Sequence, residues 1–267
     1  MPMTQTSQST RPGEVLFARY AYPPNELGYC GPDDSAGLLD VAAQLRSPSK
    51  EDFRSRARAF DGAWVYLELI AAHAGIEDPL DPRVVEAYWI GNSLLDEVDP
   101  VSFAATARTR FAGEAGAHWA ALTSSGSPAS TPHHGFQVFT VYPWVLLLGR
   151  GDTPLMVLDR CRIRWAQVAA VHGDRLEVMC APLSWDGHQL GWGPDHLETV
   201  RWALDGRSPL ARPDIGDWIS LHWDWACDRL APAQLEELRS RTQDQLVITN
   251  RALDRQGHCD GGAVGSH

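Results

Sequence analysis

The 267-residue sequence is short of positive charge: 23 Lys and Arg stand against 34 Asp and Glu, a formal net charge of −11. Nucleic acids and anionic membranes are met by basic patches, so this balance argues against both as partners. Long apolar runs are missing too. The longest, "VYPWVLLLG" at 141–149, falls far short of the ~20 residues a spanning helix needs. The opening "MPMTQTSQSTRPGE" has no apolar targeting core. The expectation is a soluble, cytoplasmic protein.

Cys30, Cys161, Cys180, Cys227 and Cys259 are scattered, odd in number and without CxxC spacing. That excludes a disulfide framework and a zinc ribbon, so metal chemistry here needs single cysteines brought together by the fold. Also absent are a phosphate-cradling G-x-x-x-x-G-K-[ST] loop, a dinucleotide G-x-G-x-x-G after a strand, and a G-x-S-x-G elbow. These absences weigh against a nucleotide-dependent enzyme and an α/β-hydrolase.

What is present is an ordinary globular composition, 44% hydrophobic and 21% charged, enough for a sizeable core. Eleven tryptophans point either to an aromatic core or to a surface made for a protein partner. Residues 1–13 are polar and expected to be disordered. Residues 14–153 read as a mainly α-helical domain. In 52–75, Phe53, Ala57, Phe60, Trp64, Leu67 and Ala71 recur at three- and four-residue spacing, predicting one helix. Residues 78–98 predict a second, with Asp81 as cap and Pro82 at the first helical position. A third is expected over 100–122, and "TSSGSPASTP" at 123–132 reads as a flexible connection.

Beyond Pro154 the period changes to short β-like runs separated by turn signals, as in a small barrel or sandwich. A helix follows over 231–250, with Leu235, Leu238 and Leu246 on one side, and 254–267 reads as a disordered tail. The fold class is α+β: a helical N-terminal half and a small β-barrel with a C-terminal helix over 154–253. The two halves are expected to be able to pack as one unit.

"LDRCRIRWAQVAAVHGD" at 158–174 reads as a strand entering a Gly-Asp turn, with Cys161 at its mouth. Taken alone, such a thiol is most simply a small buried hydrophobe. The surrounding pattern changes the weight. Cys161, Gln167, Val168, Val171, Gly173, Asp174 and Val178, followed by "GDWISLHWDWACDRLAPAQLEEL" at 216–238, resemble the HypC/HupF family of [NiFe]-hydrogenase assembly chaperones. The likeness covers about residues 158–245. It implies an OB-like barrel in which Cys161 carries an Fe(CN)₂CO fragment, assisted by His222. It also implies a HypD-like scaffold protein and the hydrogenase large-subunit precursor as partners. This chain departs from the family in having Cys161 internal rather than at the mature N-terminus, and Asp224 where the family has glycine. The whole chain further resembles an uncharacterised actinobacterial family carrying "FARYAYPPNELGYCGP" and "PHHGFQVFTVYPW".

A carrier cysteine of this kind needs exposure and a lowered pKa. Thiolate and imidazole suit low-valent iron. Asp224 lies two residues beyond His222, on the same side if the strand runs on, where it would orient the imidazole, ligate, or simply face solvent. Trp223 and Trp225 would share the opposite, core-facing side. One of His133 and His134 is expected near Cys161 across the junction, since neighbours in extended chain point apart. Cys30 in "YCGPDD" is a further candidate ligand, though turn and cap chemistry explains that stretch. The alternatives are a metal-dependent enzyme with a Cys/His site between the halves, and a binding module unrelated to hydrogenase.

Overall fold

The computed structural model describes residues 11–111 and 131–260. The expected third helix beyond 111, most of the 123–132 connection, and the two chain ends therefore lie outside the described residues.

The first helix, α1 (Gly13–Glu26), is one the periodicity does not announce. It is apolar nearly all round, the mark of a helix buried on every side rather than of a surface stripe, and Val15, Phe17, Tyr20 and Tyr22 are all buried. Pro23 and Pro24 sit in its last turn. α2 (Ser35–Ala42) starts at Asp34, whose carboxylate accepts from the Gly37 N–H, a standard cap.

The expected single helix over 52–75 is two, α3 (Lys50–Arg58) and α4 (Asp61–His73). The chain breaks at Phe60 (φ −92°, ψ 73°), whose ring turns inward against Phe17. α5 (Pro82–Trp89) begins as expected, with Asp81 capping Arg83. α6 (Pro100–Phe111) closes the described part of this half.

After the gap, a short turn over His134–Phe136 widens into one π-helical turn over Gln137–Val141. α7 (Thr153–Cys161) follows. Here the sequence reading is corrected: Cys161 ends a helix and does not open a strand. Pro154 in the first turn and apolar residues at helical spacing carry the helix through residue 161. The first strand, β1 (Arg164–His172), starts three residues later.

β1 pairs antiparallel with β2 (Arg175–Cys180) through the expected turn, where Gly173 has φ +60°. A side chain is disfavoured there, which is why glycine holds the first position of a two-residue hairpin loop. β3 (Leu183–Trp185) and β4 (Leu190–Trp192) form a separate hairpin. β5 (His196–Arg201), β6 (Trp218–His222) and β7 (Trp225–Arg229) complete a ring in the order β1-β2-β5-β7-β6. The ring shuts through a narrow parallel seam, the single pair Arg201–Trp225. α8 (Pro232–Asp260) runs past the expected end of the C-terminal helix. The class is α+β.

The barrel interior is small and aliphatic: Ala166, Val168, Leu176, Val200, Ile219 and Leu221 are all buried. The helical core instead is aromatic and crosses the halves, because Ile163, Trp225, Cys227 and Leu238 belong to it. α1 is the joint. Arg19 pairs with Asp228 of β7 (2.7 Å) and Tyr20 shares a hydrogen bond with Ser220 of β6 (2.9 Å). Glu26 accepts from Arg201 (2.7 Å) and from the Trp225 indole (2.8 Å). A barrel facing water would not need these groups; here they fix its register against the helix.

Candidate metal centre at the junction

His134, Cys161 and His222 come from three separate elements: the turn before the π-helix, the end of α7 and the end of β6. One ligand atom of each lies within 4.8 Å of those of the other two. All three are buried. They stand at the wall of a cavity of about 410 Å³ between α1, α5, α7 and the β6–β7 turn.

His222 is prepared as a ligand. Its Nδ1–H donates to the Tyr20 carbonyl at 2.7 Å, so the neutral ring carries its lone pair on Nε2, which is buried near the Cys161 backbone and makes no close hydrogen bond among the described residues. An imidazole oriented by a backbone carbonyl through its other nitrogen is the usual arrangement around a metal. Burial, and then the His134 ring beside it (centroids 5.2 Å apart), hold the His222 pKa well below its ordinary value. The ring therefore stays neutral and able to ligate.

His134 is committed at both nitrogens. Nε2 lies 2.8 Å from the Cys161 carbonyl and Nδ1 lies 3.1 Å from the Tyr88 hydroxyl, which is also 3.0 Å from the Gly62 carbonyl. Burial lowers its pKa to about 4, so it carries one proton, and two arrangements are open. With the proton on Nε2, the ring donates to Cys161 and Tyr88 donates to Nδ1. With the proton on Nδ1, the ring donates to Tyr88 and Tyr88 donates to Gly62, but Nε2 then sets a lone pair 2.8 Å from the Cys161 carbonyl oxygen. The geometry satisfies the first, in which His134 is a hydrogen-bond donor to Cys161.

Cys161 departs from the expectation of an exposed, acidified thiol. It is buried among Leu158, Leu183 and Trp223, and burial pushes its pKa well up. It becomes a thiolate when a cation supplies the compensating charge.

Of the remaining candidates, Cys30 lines the same cavity, with its pKa pushed up to about 12 by burial, but is not one of the clustered three. His133 is turned away: its Nδ1 accepts from the Gly135 N–H at 3.0 Å as a helix cap. The two adjacent histidines do point apart, and His134 is the one at the site.

Asp224 is not on a strand with His222. β6 ends at His222 and β7 begins at Trp225, so "HWDW" is a tight turn, and Asp224 reaches out to pair with Arg160 (2.5 Å). Trp223 consequently leaves the face expected to be shared with Trp225. It adopts φ +53°, unusual for a bulky residue. Its N–H donates to the Arg160 carbonyl (2.8 Å), its carbonyl accepts from Arg164 (2.7 Å), and its ring leans against Tyr29 (centroids 4.6 Å apart, planes inclined by 46°) as part of the cavity wall. Tyr88, Trp89, Gln137 and Trp223 were not read as site residues. Only the recurrence of aromatic and amide side chains in "EAYWIGN" and "PHHGFQVF" hinted at them.

The fold and site define a class: a joined helical and barrel protein with a buried Cys/His₂ cluster in an aromatic cavity. A family model described as a family of unknown function (DUF6390) matches residues 9–256, and the chain belongs to that family. Neither the curated proteins nor the solved structures gave a match. Among the described residues, no helix is long and apolar enough to cross a membrane.

Proposed function

We propose that this protein is an accessory factor of [NiFe]-hydrogenase maturation that holds an Fe(CN)₂CO fragment as cargo at His222 and Cys161, with His134 beside them. The observation that supports this reading is the convergence of His134, Cys161 and His222 on one buried point. It gives the Cys161 and His222 implied by the HypC/HupF resemblance a common site. A thiolate with one or two imidazoles is a soft to borderline donor set suited to iron, and a mostly apolar cavity shields diatomic ligands from water.

The burial of Cys161 changes the manner of carriage. The cargo sits at the wall of a cavity between the halves that opens to solvent, and exchange with a HypD-like scaffold or the large-subunit precursor passes the cavity mouth, where Tyr29 and Met156 are exposed. The protein is isolated from cells expressing the maturation factors and examined by infrared spectroscopy. Cyanide and carbonyl bands that disappear in Cys161→Ala support the reading; bands unchanged in that variant overturn Cys161 as the ligand.

The open-mouthed cavity beside the cluster favours a second reading, a metal-dependent enzyme acting on a small molecule there. Tightly bound metal without diatomic bands, together with repeated turnover, would select it.

A further inference from the structure

The junction cavity is larger than its ligand cluster needs. Its volume of about 410 Å³ lies within the range of about 300–1,000 Å³ found for small-molecule sites. At about 30 Å³ per water-sized group it admits roughly a dozen of them, more than an iron atom with diatomic ligands fills. Much of the wall away from the cluster is apolar or aromatic, with Pro24, Tyr29, Phe60, Trp144, Val157 and Trp223 in it. Part of that surface is open to an occupant. Tyr29 is 62% exposed and Met156 46%, and Trp144 and Val157 are half-buried. Taking such surface out of water favours an apolar occupant.

The same wall disfavours charge. No Lys, Arg, Asp or Glu is among its residues, and its cysteines and histidines are uncharged at neutral pH. Burial pushes the Cys30 thiol up to about 12 and the Cys161 thiol well up. It also lowers His134 to about 4 and holds His222 well below its ordinary value. An ion entering here would lose its water and gain no counter-charge. Tyr29, Trp144 and Trp223 supply ring surface, which pairs best with other rings.

We infer that the junction cavity is a binding site for a neutral, ring-bearing apolar small molecule, held beside the His222 and Cys161 wall by Tyr29, Trp144, Val157 and Trp223. The inference goes beyond the metal reading and does not depend on it, because none of these four residues is a metal ligand.

Metal-free, full-length protein is titrated with N-phenyl-naphthylamine, a neutral dye that fluoresces on leaving water. A parallel titration uses anilinonaphthalene sulfonate, which adds a negative charge to the same skeleton. The neutral dye is expected to bind saturably, and at least about tenfold more tightly than the anion. Tyr29→Ala removes a ring from the wall, and Val157→Phe fills part of the space. Each is expected to weaken the neutral dye about tenfold. Circular dichroism checks that each variant is folded, and Tyr29→Ala, at an exposed position, carries the test if Val157→Phe unfolds. No saturable binding, equal affinity for the two dyes, or affinity unchanged in either folded variant overturns the inference. Cobalt uptake is measured separately: its absence overturns the metal reading and leaves this inference standing.

Discussion

Among the described residues, two places bring cysteine, histidine and their like within ligand distance, and they are opposites. At the junction, His134, Cys161 and His222 meet in a neutral, aromatic surrounding, and the Nε2 of His222 makes no close hydrogen bond. On the barrel flank, Cys180, His196 and Glu198 are as closely spaced, but the position is already filled. Arg164, 1% exposed, holds Glu198 at 2.6 Å and reaches Cys180 at 3.9 Å, while Arg160 stands 3.5 Å from the same carboxylate. The negative charge a cation would seek is spent on guanidinium groups. Residue type and distance nominate both clusters; the unpaired lone pair and the lack of competing cations select one.

The comparison breaks most decisively at metal uptake. Cys161→Ala and His222→Ala are each expected to abolish stoichiometric Co²⁺ binding, and Cys180→Ser to leave it intact. Equilibrium dialysis with metal analysis decides this, and retention in His222→Ala would remove the distinction between the clusters.

Arg164→Leu is the next largest effect. It leaves Glu198 with the more distant Arg160 and His196, and removing one partner of a buried pair costs about 3–5 kcal/mol. Urea unfolding should show a midpoint shift of that size, with junction metal uptake kept in the remaining folded protein.

Acid sharpens the comparison further. His134 and His222 are neutral in the folded protein because burial lowers both pKa values, His134 to about 4; they face one another, Tyr88 and Cys161. Unfolded histidine takes up a proton below about 6.5. The folded state thus binds fewer protons in that interval. Stability is full above about 6.5 and is lost as pH falls toward about 4. Each histidine contributes a slope of about 1.4 kcal/mol per pH unit. Denaturant midpoints of metal-free protein across this range should lose one such contribution in His134→Gln.

The smallest effect is expected at Asp224, whose partner Arg160 is itself partly exposed. Asp224→Asn should cost under about 1 kcal/mol and leave cobalt affinity as it was. A large loss of uptake would restore Asp224 to the site.

Much of the fold was legible because local rules sufficed. Asp81 and Pro82 announced α5, Gly173 announced the β1–β2 turn, and the switch from helical to short alternating runs marked the barrel, although it was read from Pro154 and the helix α7 runs on to Cys161. α1 was illegible for a physical reason: a helix buried all round has no stripe to read. The break at Phe60 was likewise invisible, since it follows from where that ring packs rather than from a Gly or Pro. Cys161 was assigned to a strand because the alternation that leads into the Gly173-Asp174 turn was extended back over a stretch whose own spacing, from Pro154 to Cys161, is helical.

The sequence by itself determined the class of protein, the helical and barrel halves, and the short set of residues able to ligate: Cys161, His222, one of two adjacent histidines, and Cys30. Tertiary structure alone decided among them. His133 and His134 differ by one position, and only the helix start separates a capping ring from a ring aimed at Cys161. Asp224 and His222 differ by two, and only the β6–β7 turn sends one to solvent and buries the other. Whether a nitrogen keeps a free lone pair depends on what packs around it, and for His222 that is the Tyr20 carbonyl, which lies about two hundred residues away in the chain.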